Sequence, residues 1–189
     1  MVKRLILFNK PYRVLSQFTS RSRHDVLANY LPIKDIYAAG RLDYESEGLL
    51  LLTNCGKLQH VITTPQYKLP KKYWVQVEGI PSEESLNQLA KGVNIKGGRT
   101  QAARVRQFSP PSILWPRNPP IRQRKSIPTM WMEITIAEGR NRQIRRMTAS
   151  VGHPTLRLIR FAIGDWSLGD LQPGQYNEAK FPFEWLNEK

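Results

Sequence analysis

The chain has 189 residues, 29 Lys and Arg against 15 Asp and Glu, a net charge of +14 and an apolar fraction of 40%. That length holds one domain or two small subdomains sharing a core, and the basic excess makes a polyanion the expected partner, nucleic acid ahead of an acidic membrane surface. No apolar run is long enough for a membrane helix or a signal peptide, and the single cysteine, Cys55, excludes an internal disulfide or a cysteine-built zinc cluster and fits a reducing compartment.

In chain order, Arg4–Phe8 reads as a first strand that ends at Asn9-Lys10-Pro11-Tyr12. Ser16–Arg23 is polar and reads as a loop, whereas His24–Leu31 places Val26, Leu27 and Leu31 at helical spacing before Pro32. The rest of the chain is organised around Ala38–Asn54. Two small residues and Gly40 lead into Arg41-Leu42-Asp43, a short polar loop follows, and Gly48 opens a run of four leucines. An apolar run bounded by turn residues suits a buried strand, so Asp43 is expected on a loop held by packed backbone on both sides. On the residues alone, a reactive carboxylate and a plain Arg41–Asp43 surface turn fit equally.

Gly56–Thr64 predicts a short helix opened by Asn54, and Lys71–Gly79 a strand with Tyr73, Val75 and Val77 on one face. Ser82–Leu89 begins as a helix should, with Glu83 and Glu84 in its first turn, and Gly92 ends it. Gly97-Gly98 is the expected hairpin turn between Val93–Lys96 and Thr100–Phe108, a strand with Arg104 and Arg106 on one face. Residues 110–128 hold six prolines together with Trp115, Arg117, Arg122, Arg124 and Lys125. Proline this dense forbids regular structure and stiffens the loop, and its cations and indole suit an RNA grip better than a merely disordered loop. Met130–Ala137 alternates as a half-buried strand, and Glu138–Met147 is a basic run opening a helix that ends at Gly152. Thr155–Ile163 reads as a strand, 164–175 as turns, and Phe181–Leu186 as an aromatic tail packed on the core. His24, His60 and His153 are scattered without metal-ligand spacing, so no metal is expected.

Gly40-Arg41-Leu42-Asp43-Tyr44-Glu45-Ser46-Glu47-Gly48-Leu49-Leu50-Leu51-Leu52-Thr53-Asn54 resembles the long signature of one group of bacterial ribosomal pseudouridine synthases. That group comprises synthase A of the small ribosomal particle and synthases B, E and F of the large one. In this family the aspartate is catalytic, and it falls on Asp43. Asn9-Lys10-Pro11 matches an element that supports the family's active site, with Arg13 where many members carry glycine. Tyr73 matches the tyrosine that stacks on the target base. Gln143, Ile144 and Arg145 match the third motif, with Arg142 where many relatives have histidine; Arg145 is implied to be the cation paired with the catalytic aspartate. The wording of 110–128 resembles an insertion of the synthase E branch, and Thr155–Arg160 resembles the family's late basic strand.

The resemblance implies an α+β pseudouridine synthase fold: a central, mostly antiparallel sheet formed by two subdomains, flanking helices, and a cleft holding Asp43. It implies one catalytic domain over 1–189 without an N-terminal S4-type module. Asp43, Tyr73 and Arg145 are the expected catalytic set. Arg41, Lys10, Arg140, Arg142, Arg117, Arg122, Arg124, Lys125 and Trp115 are the expected RNA contacts. The expected reaction is the isomerisation of a uridine in large-subunit ribosomal RNA, free or in a pre-ribosomal particle, by a cytoplasmic monomer without cofactor, metal or membrane partner. The alternatives are a catalytically silent ribosomal-RNA-binding or ribosome-assembly factor on the same fold, and the same isomerase acting on transfer RNA.

Overall fold

Leu5–Lys10 (β1), Val14–Leu15 (β2), Asp25–Val26 (β3), Tyr37–Ala38 (β4) and Glu47–Thr53 (β5) lead to the helix Gly56–Thr63 (α1). Lys71–Glu78 (β6), the helix Glu83–Lys91 (α2), Asn94–Ile95 (β7), Gly98–Arg99 (β8), Arg104–Gln107 (β9) and Thr129–Ile136 (β10) follow. The helix Gln143–Ser150 (α3), Thr155–Ile163 (β11), Trp166–Ser167 (β12) and Tyr176–Ala179 (β13) complete the order. These are the elements of a computed structural model that describes residues 2–186 apart from 113, 123 and 125. Lys125, expected to contact RNA, therefore lies outside the described residues. The chain forms two compact units, Met1–Leu69 with Asp165–Lys189 and Pro70–Gly164.

In the first unit β1 lies between β13 and β5 and is antiparallel to both, with Leu5 opposite Thr53 and Phe8 opposite Leu50. All seven residues of β5 are buried, and Leu49, Leu50, Leu51 and Leu52 are completely so. A strand covered on both faces needs a continuous apolar run, and each such leucine contributes about 1.5–3 kcal/mol of burial. Leu50 and Leu52 join Ile6, Phe8, Val14, Leu27, Leu31 and Ile36 in one cluster. The first strand runs two residues further than expected, through a fully buried Asn9 and Lys10. Asn54 does not open α1: its side chain accepts from the Arg4 N–H and donates to the Val2 carbonyl, and Cys55 precedes the helix.

The segment 24–31 is not a helix. Asp25–Val26 pairs in parallel with Val14–Leu15, and the Leu27 N–H donates to the Gln17 carbonyl, leaving only a 3-10 turn over Leu27–Asn29. The apolar spacing is real, but partners far along the chain use it.

In the second unit β6 lies between β11 and β10, antiparallel to both, and β10 carries β9 on its other side. The strict alternation of Met130, Met132, Ile134 and Ile136 on β10 puts all four into a cluster with Val75, Val77, Leu89, Ile144 and Met147. Trp74 points the other way from Tyr73 along β6 and is stacked between Phe161, at 4.3 Å, and Phe108, at 5.3 Å. Ser82 caps α2 by accepting from the Ser85 N–H.

The expected strand over Thr100–Phe108 is broken. Gly98–Arg99 pairs back onto Asn94–Ile95, and only Arg104–Gln107 joins the sheet. Between them Thr100 turns inward, its backbone N–H bonding the Val93 carbonyl and its hydroxyl accepting from the Val93 N–H. The Gln101 N–H meanwhile goes to the Glu138 carboxylate. Among the described residues of 108–128 there is no helix or strand, as the proline density requires.

Candidate active site

Asp43 sits half-buried on the loop between β4 and β5, with Arg41 exposed two residues earlier. Gly40 enters the loop at φ +91° and Gly48 leaves it at φ +104°, conformations that favour glycine. The Ala39 N–H donates to the Leu51 carbonyl and the Ser46 N–H to the Asp43 carbonyl, so the loop closes as a tight turn tied to its own strand.

The segment 11–16, which follows β1 and includes β2, holds the residues on either side of the carboxylate. The Ser16 hydroxyl donates to the Leu42 carbonyl at 2.8 Å and accepts from the Leu42 N–H at 3.0 Å. The Arg13 N–H donates to the Tyr44 carbonyl at 2.8 Å. Arg13 adopts φ +62°, so the left-handed turn that glycine would make easily is kept here by an arginine. Further along, the Tyr44 hydroxyl meets His24 Nδ1 at 3.2 Å. Lys10 underlies this loop rather than facing a ligand. It is 0% exposed, and its Nζ donates to the Pro11 and Val14 carbonyls, each at 2.8 Å. This corrects its expected place on an RNA-contacting surface: a buried ammonium that donates to two carbonyls of the loop is a loop support.

In the second unit Tyr73, on β6, is 8% exposed and packed in the core cluster with Val75, Val77 and Ile134. Arg145, on the first turn of α3, is half-buried and its Nη1 reaches the Thr155 carbonyl at 3.5 Å. The turn before α3 is organised by Glu138, which the sequence did not single out. Its carboxylate accepts from the Gln101 N–H, the Gln143 side-chain amide and, at 3.1 Å, Arg140 Nε. Gln143 in turn accepts from the Arg140 N–H. The guanidinium of Arg140 also donates to the carbonyls of Gly97, Gly98 and Arg99, so Arg140 binds the β7–β8 hairpin to this turn. Arg142 is exposed and stands before α3 at φ +51°. Lys71 lies near the nearly buried Arg160; burial, and then that neighbouring charge, push its pKa down.

The described part of the 110–128 loop is held by cations of its own and by one from β11. Arg117 donates to the carbonyls of Pro119, Pro120 and Leu156, at 2.9, 2.9 and 3.2 Å. Arg157 donates to the Trp115 carbonyl at 3.0 Å and lies 5.8 Å from the Trp115 ring centroid. Arg124 pairs with Glu78 at 3.0 Å, and Arg122 is exposed. Trp115 and Arg117, read from sequence as RNA contacts, are thus engaged in shaping the loop. Among the described residues no three His, Cys, Asp or Glu gather as a metal site, and no helix is long and apolar enough to cross a membrane.

The RNA pseudouridylate synthase family matches residues 4–150. Ribosomal large subunit pseudouridine synthase E of Vibrio parahaemolyticus is 58% identical over 94% of this chain and 74% of its own length. The protein of the same name from Xanthomonas campestris is 57% identical over 91% of this chain and 93% of its own. Among solved structures, a crystal structure of a pseudouridylate synthase superposes with a TM-score of 0.78 at 25% identity, covering 95% of this chain and 71% of that one. The α+β architecture is therefore the pseudouridine synthase fold, and the Asp43 loop belongs to an isomerase. By the extent of these matches, the chain belongs to the RNA pseudouridylate synthase family.

Proposed function

We propose that the chain isomerises a specific uridine of large-subunit ribosomal RNA to pseudouridine, with the Asp43 carboxylate as its catalytic group. The observation that carries this reading is the 58% identity, across 94% of the chain, to a pseudouridine synthase named for the large ribosomal subunit. The reaction breaks the bond from uracil N1 to ribose C1′, turns the base and rejoins it through C5. C5 gives up its proton and N1 gains one, so the product is an isomer and no outside reactant is consumed. A carboxylate can open this sequence by attacking C1′ or by removing a ribose proton.

The target base must leave its stack first, at a cost of a few kcal/mol. Tyr73, fixed by its packing, is the stacking partner that the family motif implies, and such stacking offsets about 1–3 kcal/mol of that cost. Arg145 is the cation that the family pairs with the aspartate. Arg41, Arg122, Arg124 and Arg142 are the proposed phosphate contacts; Arg140, Arg117 and Trp115 support them by holding their loops. The chain is proposed to act as a cytoplasmic monomer on free or pre-ribosomal RNA.

The test uses ribosomal RNA from cells lacking this protein, with transfer RNA in parallel, incubated with wild type or Asp43→Asn. Pseudouridine is mapped by carbodiimide-dependent reverse-transcription stops. A new stop in large-subunit RNA with wild type alone is expected. Stops with both proteins would remove Asp43 from the chemistry. Stops only in transfer RNA would overturn the substrate, and binding without any stop would mean a silent binding factor.

A further inference from the structure

We infer that Ser16 is a positioning residue for the catalytic carboxylate, an assignment that rests on Asp43 being the group that acts. Ser16 is 7% exposed and lies in the first unit, as does the Asp43 loop. Its one hydroxyl makes both a donated and an accepted hydrogen bond to a single residue, Leu42, at 2.8 and 3.0 Å. The carbonyl of Leu42 belongs to the peptide group that joins it to Asp43, and the N–H of Leu42 belongs to the peptide group before. The hydroxyl therefore fixes the two peptide planes that flank Leu42, and through the second of them the position from which the Asp43 side chain leaves the backbone. On the far side of Asp43, the Arg13 N–H holds the Tyr44 carbonyl at 2.8 Å, and the Asp43 carbonyl itself holds the Ser46 N–H at 3.0 Å.

The consecutive peptide groups from Arg41 to Glu45 are thus tied, and Ser16 ties two of them through its side chain. The alternative role, a buried polar residue that merely joins two loops, would show in stability alone. A positioning role shows in rate, because a reacting group displaced by about 1 Å can lose on the order of 100-fold. It also depends on an oxygen at this position rather than on the volume of the side chain.

The experiment compares Ser16→Ala and Ser16→Thr with wild type and Asp43→Asn in single-turnover isomerisation of the large-subunit RNA, on protein shown to be folded at the assay temperature. RNA affinity is measured alongside. Ser16→Ala is expected to slow the step about 10- to 100-fold while RNA affinity stays within about twofold, and Ser16→Thr, which keeps the oxygen, to recover most of the rate. Ser16→Ala at the wild-type rate, with Asp43→Asn inactive, would overturn the role of Ser16 and leave the carboxylate in place. Equal losses in the Ala and Thr variants would assign Ser16 to packing. An active Asp43→Asn would overturn the reading beneath it and the positioning role together.

Discussion

Replacing Lys10 by Met keeps the length of the side chain while removing its charge and its donors. Lys10 is completely buried, and its Nζ holds the carbonyls of Pro11 and Val14 at 2.8 Å each. Losing a donor to a buried carbonyl costs about 1–3 kcal/mol, so two such losses come to about 2–6 kcal/mol. Against this, the thioether avoids the desolvation of a buried ammonium. The net expectation is a loss of about 2–4 kcal/mol, which for a chain of this size lowers Tm by roughly 4–16 °C. The loop that relaxes carries the Arg13 N–H bonded to Tyr44, so the single-turnover rate should fall as well. Calorimetry gives Tm, and titration of an RNA fragment at several salt concentrations gives the slope of log K against log salt. A lysine on a phosphate would flatten that slope by about 0.7–0.9 when removed. The expected result is a lower Tm with an unchanged slope; an unchanged Tm with a flatter slope would refute the loop-support role and return Lys10 to the RNA surface.

Gly92 ends α2 at φ +89°, and a Cβ there would lie 2.4 Å from the Thr100 carbonyl oxygen. Gly92→Ala should therefore destabilise the second unit by about 3–5 kcal/mol, from backbone strain and forced separation together, and a urea titration with an unmoved midpoint would contradict this. The lowered pKa of Lys71 has a defined sign. Folded Lys71 gives up its proton below the ordinary value of 10.5, so between the two values the unfolded chain binds more protons and stability rises with pH. Below that window the half-buried charge near Arg160 is a standing cost, and Lys71→Met should melt higher than wild type at about pH 7, with the gap closing as pH rises towards 10.5. A gap that widens instead would show that the charged form is the one the fold favours.

What could be read from the sequence was whatever is decided locally. The alternation of β10 and the unbroken leucine run of β5 each state their burial within one element, and both appear as expected. Segment 24–31 could not be read in this way, because Asp25–Val26 pairs with Val14–Leu15 and no spacing inside 24–31 encodes that partner. The same holds for cations. Lys10, Arg117 and Arg140 look like any other basic residue in the sequence, and only the folded backbone brings carbonyls together around each of them. Asp43 was singled out by its long motif, and Arg13 as a departure from the family's glycine, whereas the support from Ser16 came out of a stretch legible only as a polar loop.

The division of labour among the basic residues changes what the net charge of +14 means for binding. Arg117, Arg140, Arg157 and Lys10 each donate to backbone carbonyls of loops or short hairpins. A guanidinium is suited to this, since its planar fork serves several carbonyls at once and stays charged at any working pH. The cost of ordering those loops is met on folding rather than when RNA arrives, and preorganisation of that kind strengthens binding without adding a contact. The phosphate contacts proposed above, Arg41, Arg122, Arg124 and Arg142, would then act from supports already in place. The salt dependence of binding should report that smaller exposed set, because only cations that displace counterions enter the slope. A basic protein of this design uses one part of its charge to build a rigid surface and another part to hold RNA on it.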